Sequence, residues 1–457
     1  MKDLFYKRSH AASLIDDKDI NIAFSFCDKY KKFLDCAKTE REAATEIENQ
    51  LKAKGFKSYK YGDNLVAGDK IFVNNRAKSI IAANIGTDPI DAGVNILVAH
   101  IDSPRIDLKQ NPLYENSEIA LFKTHYYGGI KKYQWATIAL SLHGVVIKSD
   151  GSKIQINIGE DEHDPVFCIS DLLPHLAQEQ MKRDASEIIK GEELNVLVGS
   201  LPFKNTENAE KIKANILSIL HDKFGIVEKD FLSAELELVP QNKAKDIGFD
   251  RSMIGAYGQD DRVCAYTVLQ ALLDTETPQK TTVAVFADKE EIGSMGNTGM
   301  QSAFLRYFIA DIAETFGSSE RIVLSNSNCL SADVNAAFDP TFPDVSEINN
   351  VSLLNYGVVI TKYNGSKGKS GSSDANAEYI SQINTMLDKN NIVWQTGELG
   401  RVDMGGGGTV AAYIANMGPQ VVDIGVPVIS MHSPFEITAK LDVYMAYKAF
   451  CAFCKNS

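Results

Sequence analysis

The sequence predicts an α/β protein: a sheet with helices on both faces, interrupted by a separate, mainly β segment. Three observations predict it. Short β-branched runs alternate with amphipathic helical stretches near the start and again in the last third of the chain. One of these runs, Gly93-Val-Asn-Ile-Leu-Val98, is apolar enough for a strand buried on both faces of a parallel or mixed sheet. Between about Asp107 and Pro240 the texture changes to closely spaced strand-like runs followed by polar helical stretches.

Taken in order, Asp19 to Lys54 carries apolar residues at helical spacing. Ile22, Phe26, Tyr30 and Phe33 form one stripe, and Ala44, Ile47 and Leu51 the next. Gly55 stops the second helix, since glycine enters the left-handed conformation of a helix end without a Cβ clash. Lys70–Val73, Ser79–Ala83 and Gly93–Val98 then read as strands. In the middle segment Gly144–Ile147 and Lys153–Asn157 read as strands and Ala209–His221 as a helix. Beyond it, strands are expected at Thr281–Phe286, Arg321–Leu324, Gly357–Thr361, Ile392–Thr396 and Val426–Ser430. Helices are expected at Arg262–Asp274, Ser373–Leu387 and Glu436–Phe453. The domain organisation is therefore one domain interrupted by an inserted one, from about Asp107 to Pro240.

Composition narrows the function classes. The chain has 457 residues, 44% apolar and 23% charged, which excludes a disordered or fibrous protein and leaves room for more than one core. Lys and Arg number 47 against 60 Asp and Glu, a formal charge of −13 with no long basic block. Such a chain does not grip a phosphate backbone, so no nucleic-acid partner is expected. It has neither a basic amphipathic face nor an apolar run near the roughly 20 residues of a bilayer span, so no membrane partner is expected. The start, Met1 to His10, lacks the pattern of a signal peptide, and the seven irregularly spaced cysteines suit a reducing compartment. A cytoplasmic location is the expectation.

The chemistry concentrates where the expected strands stop. His100-Ile-Asp102-Ser-Pro-Arg105 follows Gly93–Val98, and Asp288-Lys-Glu290-Glu291 follows Thr281–Phe286. Ser331-Ala-Asp333 follows Arg321–Leu324, Met431-His432-Ser-Pro434 follows Val426–Ser430, and Asp260-Asp261-Arg262 opens a helix. Open α/β sheets bind ligands beyond the carboxyl ends of their strands, so these groups converge on one crevice. Asp260, Glu291 and Asp333 with a bridging hydroxide would balance two divalent cations, and His100 and His432 would add the nitrogen donors that zinc prefers. Taken singly, each piece reads otherwise: a strand-end histidine is usually structural, and an acidic pair at a helix start is usually a cap. The joint occurrence makes the metal-cluster case.

At these residues the chain resembles the aspartyl aminopeptidase and vacuolar aminopeptidase I family of dinuclear zinc exopeptidases. The matching pieces are Ala99–Arg105, Asp260–Arg262, Asp288–Ser294, Ser331–Asp333 and Met431–Pro434, in the family's order and at its approximate spacing. The resemblance implies a zinc-exopeptidase-like α/β/α sandwich catalytic domain made of 1–103 and 242–457, with an inserted, mainly β dimerisation domain at 104–241. It implies two Zn2+ per chain, with Co2+ or Mn2+ able to substitute. Asp260 would bridge the metals, His100 and Asp333 would hold one, and Glu291 and His432 the other. Glu290 would be the general base, and Asp102 would orient His100 through its second ring nitrogen. Within the insert, Leu173-Pro-His175-Leu-Ala177 resembles a segment whose histidine reaches a neighbouring subunit's active site, whereas His175 read alone is a helix-surface histidine. The implied activity is removal of N-terminal residues from peptide substrates, by a homo-oligomer whose dimers build a tetrahedral dodecamer.

Rival readings are another dinuclear metallohydrolase, a carboxypeptidase or deacylase, and a non-catalytic peptide- or metal-binding scaffold. Glu290 beside Glu291 argues against a scaffold, which needs the ligand and not the base. Gly365-Ser-Lys-Gly-Lys-Ser370 imitates a phosphate loop but fails, because the required first glycine falls at Tyr363. A loop near the substrate is the better reading, with lysines able to meet an acidic side chain. Gly405–Gly408 is expected to let backbone approach the substrate. Cys451 and Cys454 have redox spacing but read as core of a terminal helix, and Cys264 and Cys329 match no ligand position. The segment Glu398–Asp403 departs from the acidic-residue-specific pattern, which leaves acidic and neutral N-terminal preferences both open.

Overall fold

A computed structural model describes residues 4–204 and 209–455. The first helical stripes become helices Asp17–Cys36 and Glu40–Ala53, separated by caps written in the sequence. The Asp16 carboxylate accepts the Asp19 N–H at 2.8 Å. Thr39 and Glu42 form a reciprocal capping box that starts the second helix.

The chain divides into two compact units: residues 4–103, 244–431 and 435–455 form the first, and 104–204, 209–243 and 432–434 the second. The first unit is built on a nine-stranded sheet. Its centre is four parallel strands in the spatial order Thr282–Ala287, Asn95–His100, Asn328–Ser331 and Gln420–Gly425. Antiparallel neighbours follow on each side, Ser79–Asn84 against the first and Val358–Thr361 against the last.

Side-chain alternation along the central strands fixes the layers. Leu97, Ala99, Ala284 and Phe286 pack into a core shared with helices Asp17–Cys36, Glu40–Ala53, Gln259–Leu273, Ala377–Lys389 and Lys440–Lys455. Ile96, Val98, Val283 and Val285 pack into a second core with helices Phe304–Thr315, Glu320–Ser325 and Ala411–Ala415. Helices on both faces of one sheet are the α/β/α sandwich. The second unit carries a seven-stranded antiparallel sheet with the helix Lys211–Phe224, a mainly β body.

Several local expectations differ from the structure. Arg321–Leu324 is not a strand but lies within helix Glu320–Ser325, and the strand is the next segment, Asn328–Ser331. A three-residue apolar run, Ile322–Leu324, fits either period, and here only Val323 and Leu324 are buried on a short turn of helix. The helix expected from Glu436 starts at Lys440, because Glu436–Ala439 pairs as a strand with Met253–Ala256. That pairing belongs to a five-stranded sheet that also takes Pro427–Ile429, and the strand of the main sheet in this region is Gln420–Gly425.

Candidate metal centre

Three neighbouring parallel strands deliver the site. Asn95–His100 ends in His100, Thr282–Ala287 leads to Asp288, Glu290 and Glu291, and Asn328–Ser331 leads to Asp333. Asp260 and Asp261 stand at the start of helix Gln259–Leu273, in non-helical conformations joined by a cis peptide. Apolar strand interiors fill the sheet, so the first polar residues past each strand end meet at its carboxyl edge.

His100 is the hub. Its Nε2 lies 3.2 Å from Asp260 Oδ1 and 3.9 Å from both Glu290 Oε2 and Asp333 Oδ1. Its Nδ1 is 3.0 Å from the backbone carbonyl oxygen of Asp102 and 3.4 Å from that residue's Oδ1. An Nδ1–H donated to this carbonyl leaves the Nε2 lone pair toward the acids, the tautomer a metal ligand needs. The Asp102 carboxylate also ties down the turn that bears the two glutamates. Its Oδ1 accepts the N–H of Glu290 at 3.1 Å and its Oδ2 that of Glu291 at 3.2 Å.

Electrostatics show a crowded anionic pocket. Burial pushes Asp261 well above the carboxylate range, with Asp260 adding to it against the pull of His100. Burial does the same to Asp333, reinforced by Asp261. Burial opposes charge on His100, yet hydrogen bonds to Asp102 and Asp260 and the fields of Asp333 and Glu290 outweigh it, and the imidazole sits well above its ordinary pKa. Behind them burial, with Glu40 and Asp102, lifts Asp288 to about 7. A cation among His100, Asp261 and Asp333 would favour the charged carboxylates and the neutral imidazole, opposing the shifts of all three.

The donor set fits such a cation. Among the described residues two groups bring their ligand atoms within 4.8 Å of one another, His100 with Asp261 and Asp333, and His100 with Asp260 and Glu291. Asp261 is the participant that the sequence reading missed. As one of an adjacent acidic pair at a helix start it has no separate sequence signal. His432, expected beside them, belongs to the second unit, with Nδ1 2.8 Å from the Gly129 carbonyl oxygen. His175 is exposed on a turn of that unit, not on a helix.

The remaining motifs have the following surroundings. Lys369 pairs with Asp374 at 2.9 Å and lies 3.8 Å from the centre of the Tyr363 ring. The glycine run lets two loops touch: a Cβ on Gly406 would stand 2.1 Å from the Gly365 carbonyl oxygen. Burial raises the Cys451 and Cys454 thiols to about 11 and about 12, so neither is a thiolate near neutrality. Among the described residues no disulfide joins two cysteines.

A His–carboxylate cluster at the carboxyl edge of a parallel sheet, with a spare glutamate beside it, defines a metallohydrolase. The chain belongs to the aminopeptidase I zinc metalloprotease family, M18, whose family model matches residues 33–454. It is a zinc metallo-aminopeptidase. It is 48% identical over 462 residues to the probable M18 family aminopeptidase 1 of Clostridium acetobutylicum, covering 99% of each chain. Its fold matches the crystal structure of an M18 aminopeptidase from Thermotoga maritima with a TM-score of 0.94 and 43% identity, over 99% of this chain and 100% of that one. A more distant structure, of the S. cerevisiae mApe1 dodecamer, shares the fold at a TM-score of 0.76 and 20% identity, over 94% of this chain and 96% of that one. Among the described residues no helix is long and apolar enough to cross a membrane.

Proposed function

We propose that this zinc aminopeptidase works with two zinc ions held by His100, Asp260, Glu291, Asp333 and His432, with Asp260 between them and Glu290 as general base. The observation that carries this reading is the gathering of His100, Glu291 and Asp333 from the ends of adjacent strands with Asp260 from a helix start, and Glu290 also within 3.9 Å of His100. Co2+ or Mn2+ would fit the same donors.

When bound, the metal polarises the scissile carbonyl and acidifies water at the site. The protein's own groups do the rest. Glu290, partly buried at the crevice, takes the water's proton and passes it to the departing amine. Asp102 fixes the backbone of Glu290 and Glu291 together, so base and ligand keep one spacing. The free α-amine of the substrate would be met by the acidic groups, which restricts cleavage to the amino end. The second unit would serve as the dimerisation domain, with His175 reaching a neighbour's site in a tetrahedral dodecamer within the cytoplasm. Both acidic and neutral N-terminal residues remain within the reading.

The test pairs activity with metal content. Peptides with a free amino end should be cleaved and their N-acetylated forms should not, in protein holding up to two zinc ions per chain. Asp260→Ala should lose both ions. Two tightly held ions and normal turnover in Asp260→Ala would sink the proposed ligand set.

A further inference from the structure

Arg262 directly follows the acidic pair and is only 1% exposed. A buried guanidinium is costly unless its charge and donors are used. Its Nε donates to the carbonyl oxygen of Ile101 at 3.3 Å and its Nη2 to that of Lys38 at 2.9 Å. Its Cζ lies 5.4 Å from the centre of the Tyr257 ring.

Room for it comes from Gly258. That residue has φ +71°, and a Cβ there would fall 1.8 Å from Arg262 Nη1. The same corner is tied back in the other direction, since Ser103 Oγ donates to the Asp260 carbonyl oxygen at 2.6 Å. The N–H of Ile101 donates to the Ala287 carbonyl oxygen at 2.8 Å, and that of His100 to Asp261 Oδ2 at 3.3 Å. Ile101 lies between His100 and Asp102, so whatever holds its carbonyl sets the aim of both.

The geometry points to Arg262 as a positioning residue that clamps the His100–Ser103 loop against the Asp260–Asp261 corner, in a space kept open by Gly258. The clamp rests on the metal-centre reading above and acts through His100 and Asp102, not on substrate. A lysine keeps the charge but has one donor head, so it cannot serve two carbonyls from the fixed fork of a guanidinium.

The experiment uses the full chain in three forms: wild type, Arg262→Lys and Gly258→Ala. Zinc affinity is measured by chelator competition, the visible spectrum is recorded with Co2+ in place of zinc, and folding is followed by circular dichroism and Tm. Arg262→Lys should remain folded, bind zinc about 10–100-fold more weakly, shift the Co2+ bands, and lose kcat at saturating zinc with KM little changed. Gly258→Ala retains the arginine but displaces it, and should move the same readouts in the same direction. Zinc affinity and Co2+ bands like wild type in a folded variant of either kind would overturn the clamp, even if Tm fell. Should Arg262→Lys not fold, Gly258→Ala decides alone. Wild-type protein that bound no zinc would instead overturn the metal-centre reading itself.

Discussion

Asp102→Asn should loosen the metal centre while leaving the fold in place. The carboxylate is fully buried, and its two oxygens accept the backbone N–H groups of Glu290 at 3.1 Å and Glu291 at 3.2 Å. Asparagine has the same shape but one acceptor oxygen, so its amide N–H must face one of those donors. At least one charge-assisted hydrogen bond is lost, about 1.5–3 kcal/mol. At about 1.4 kcal/mol per tenfold change, that is about 10–100-fold in metal affinity. The assay is zinc competition with a chelator, alongside circular dichroism and kcat at saturating zinc. Because Glu290 and Glu291 are displaced together, kcat should stay depressed after zinc is restored. A folded variant with zinc affinity and kcat both like wild type would refute the claim that Asp102 holds the turn.

Glu290→Gln should retain zinc and lose turnover, by the roughly 10²–10⁴-fold typical of one acid–base group, and normal kcat would remove Glu290 as base. Mixing inactive His175→Ala with inactive Glu290→Gln subunits under proven exchange should restore part of the activity, and no recovery would deny His175 a role in a neighbour's site. Asp423 gives a stability prediction by pH. Burial raises it to about 6 against hydrogen bonds from Thr409 and Asn364, above its unfolded value near 3.8. The folded chain therefore binds the extra proton between about pH 4 and 6, and this group's contribution to stability falls as pH rises through that window, by about 3 kcal/mol in all. Denaturant midpoints should show a shallower fall over that window for Asp423→Asn, and identical slopes would show that Asp423 titrates normally.

Much of the site was legible because strand interiors are apolar and its polar groups break those runs. His100 ends six buried residues, and Glu290 and Asp333 follow strands of the same kind. What stayed illegible depends on backbone direction at single turns. Asp260 and Asp261 are adjacent, and only the folded corner turns both carboxylates toward His100. Arg321–Leu324 misled because the three apolar residues Ile322, Val323 and Leu324 cannot distinguish periods of 2 and 3.6. Glu436–Ala439 misled for another reason: its strand forms through pairing with Met253–Ala256, distant in sequence, while the following residues are good helix formers.

The order of the chain explains why so many contacts gather on residues 100–103. The first unit is left at Ser103 and regained only at Ala244, so the loop carrying His100 and Asp102 is the last piece of the sandwich before the chain departs. A loop with one covalent end leading out of its own unit gains little positional restraint from that end, and its backbone entropy must be offset by contacts made within the unit. Those contacts are present at every residue. His100 N–H is held by Asp261, Ile101 by Ala287 on one side and Arg262 on the other, Asp102 by the Glu290 and Glu291 amides, and Ser103 by the Asp260 carbonyl. Each tie runs to a segment that itself bears a candidate ligand or base. The same hydrogen bonds that anchor the exit of the chain therefore set the spacing of the metal centre, so weakening the anchor should show first as lost metal and only later as lost fold.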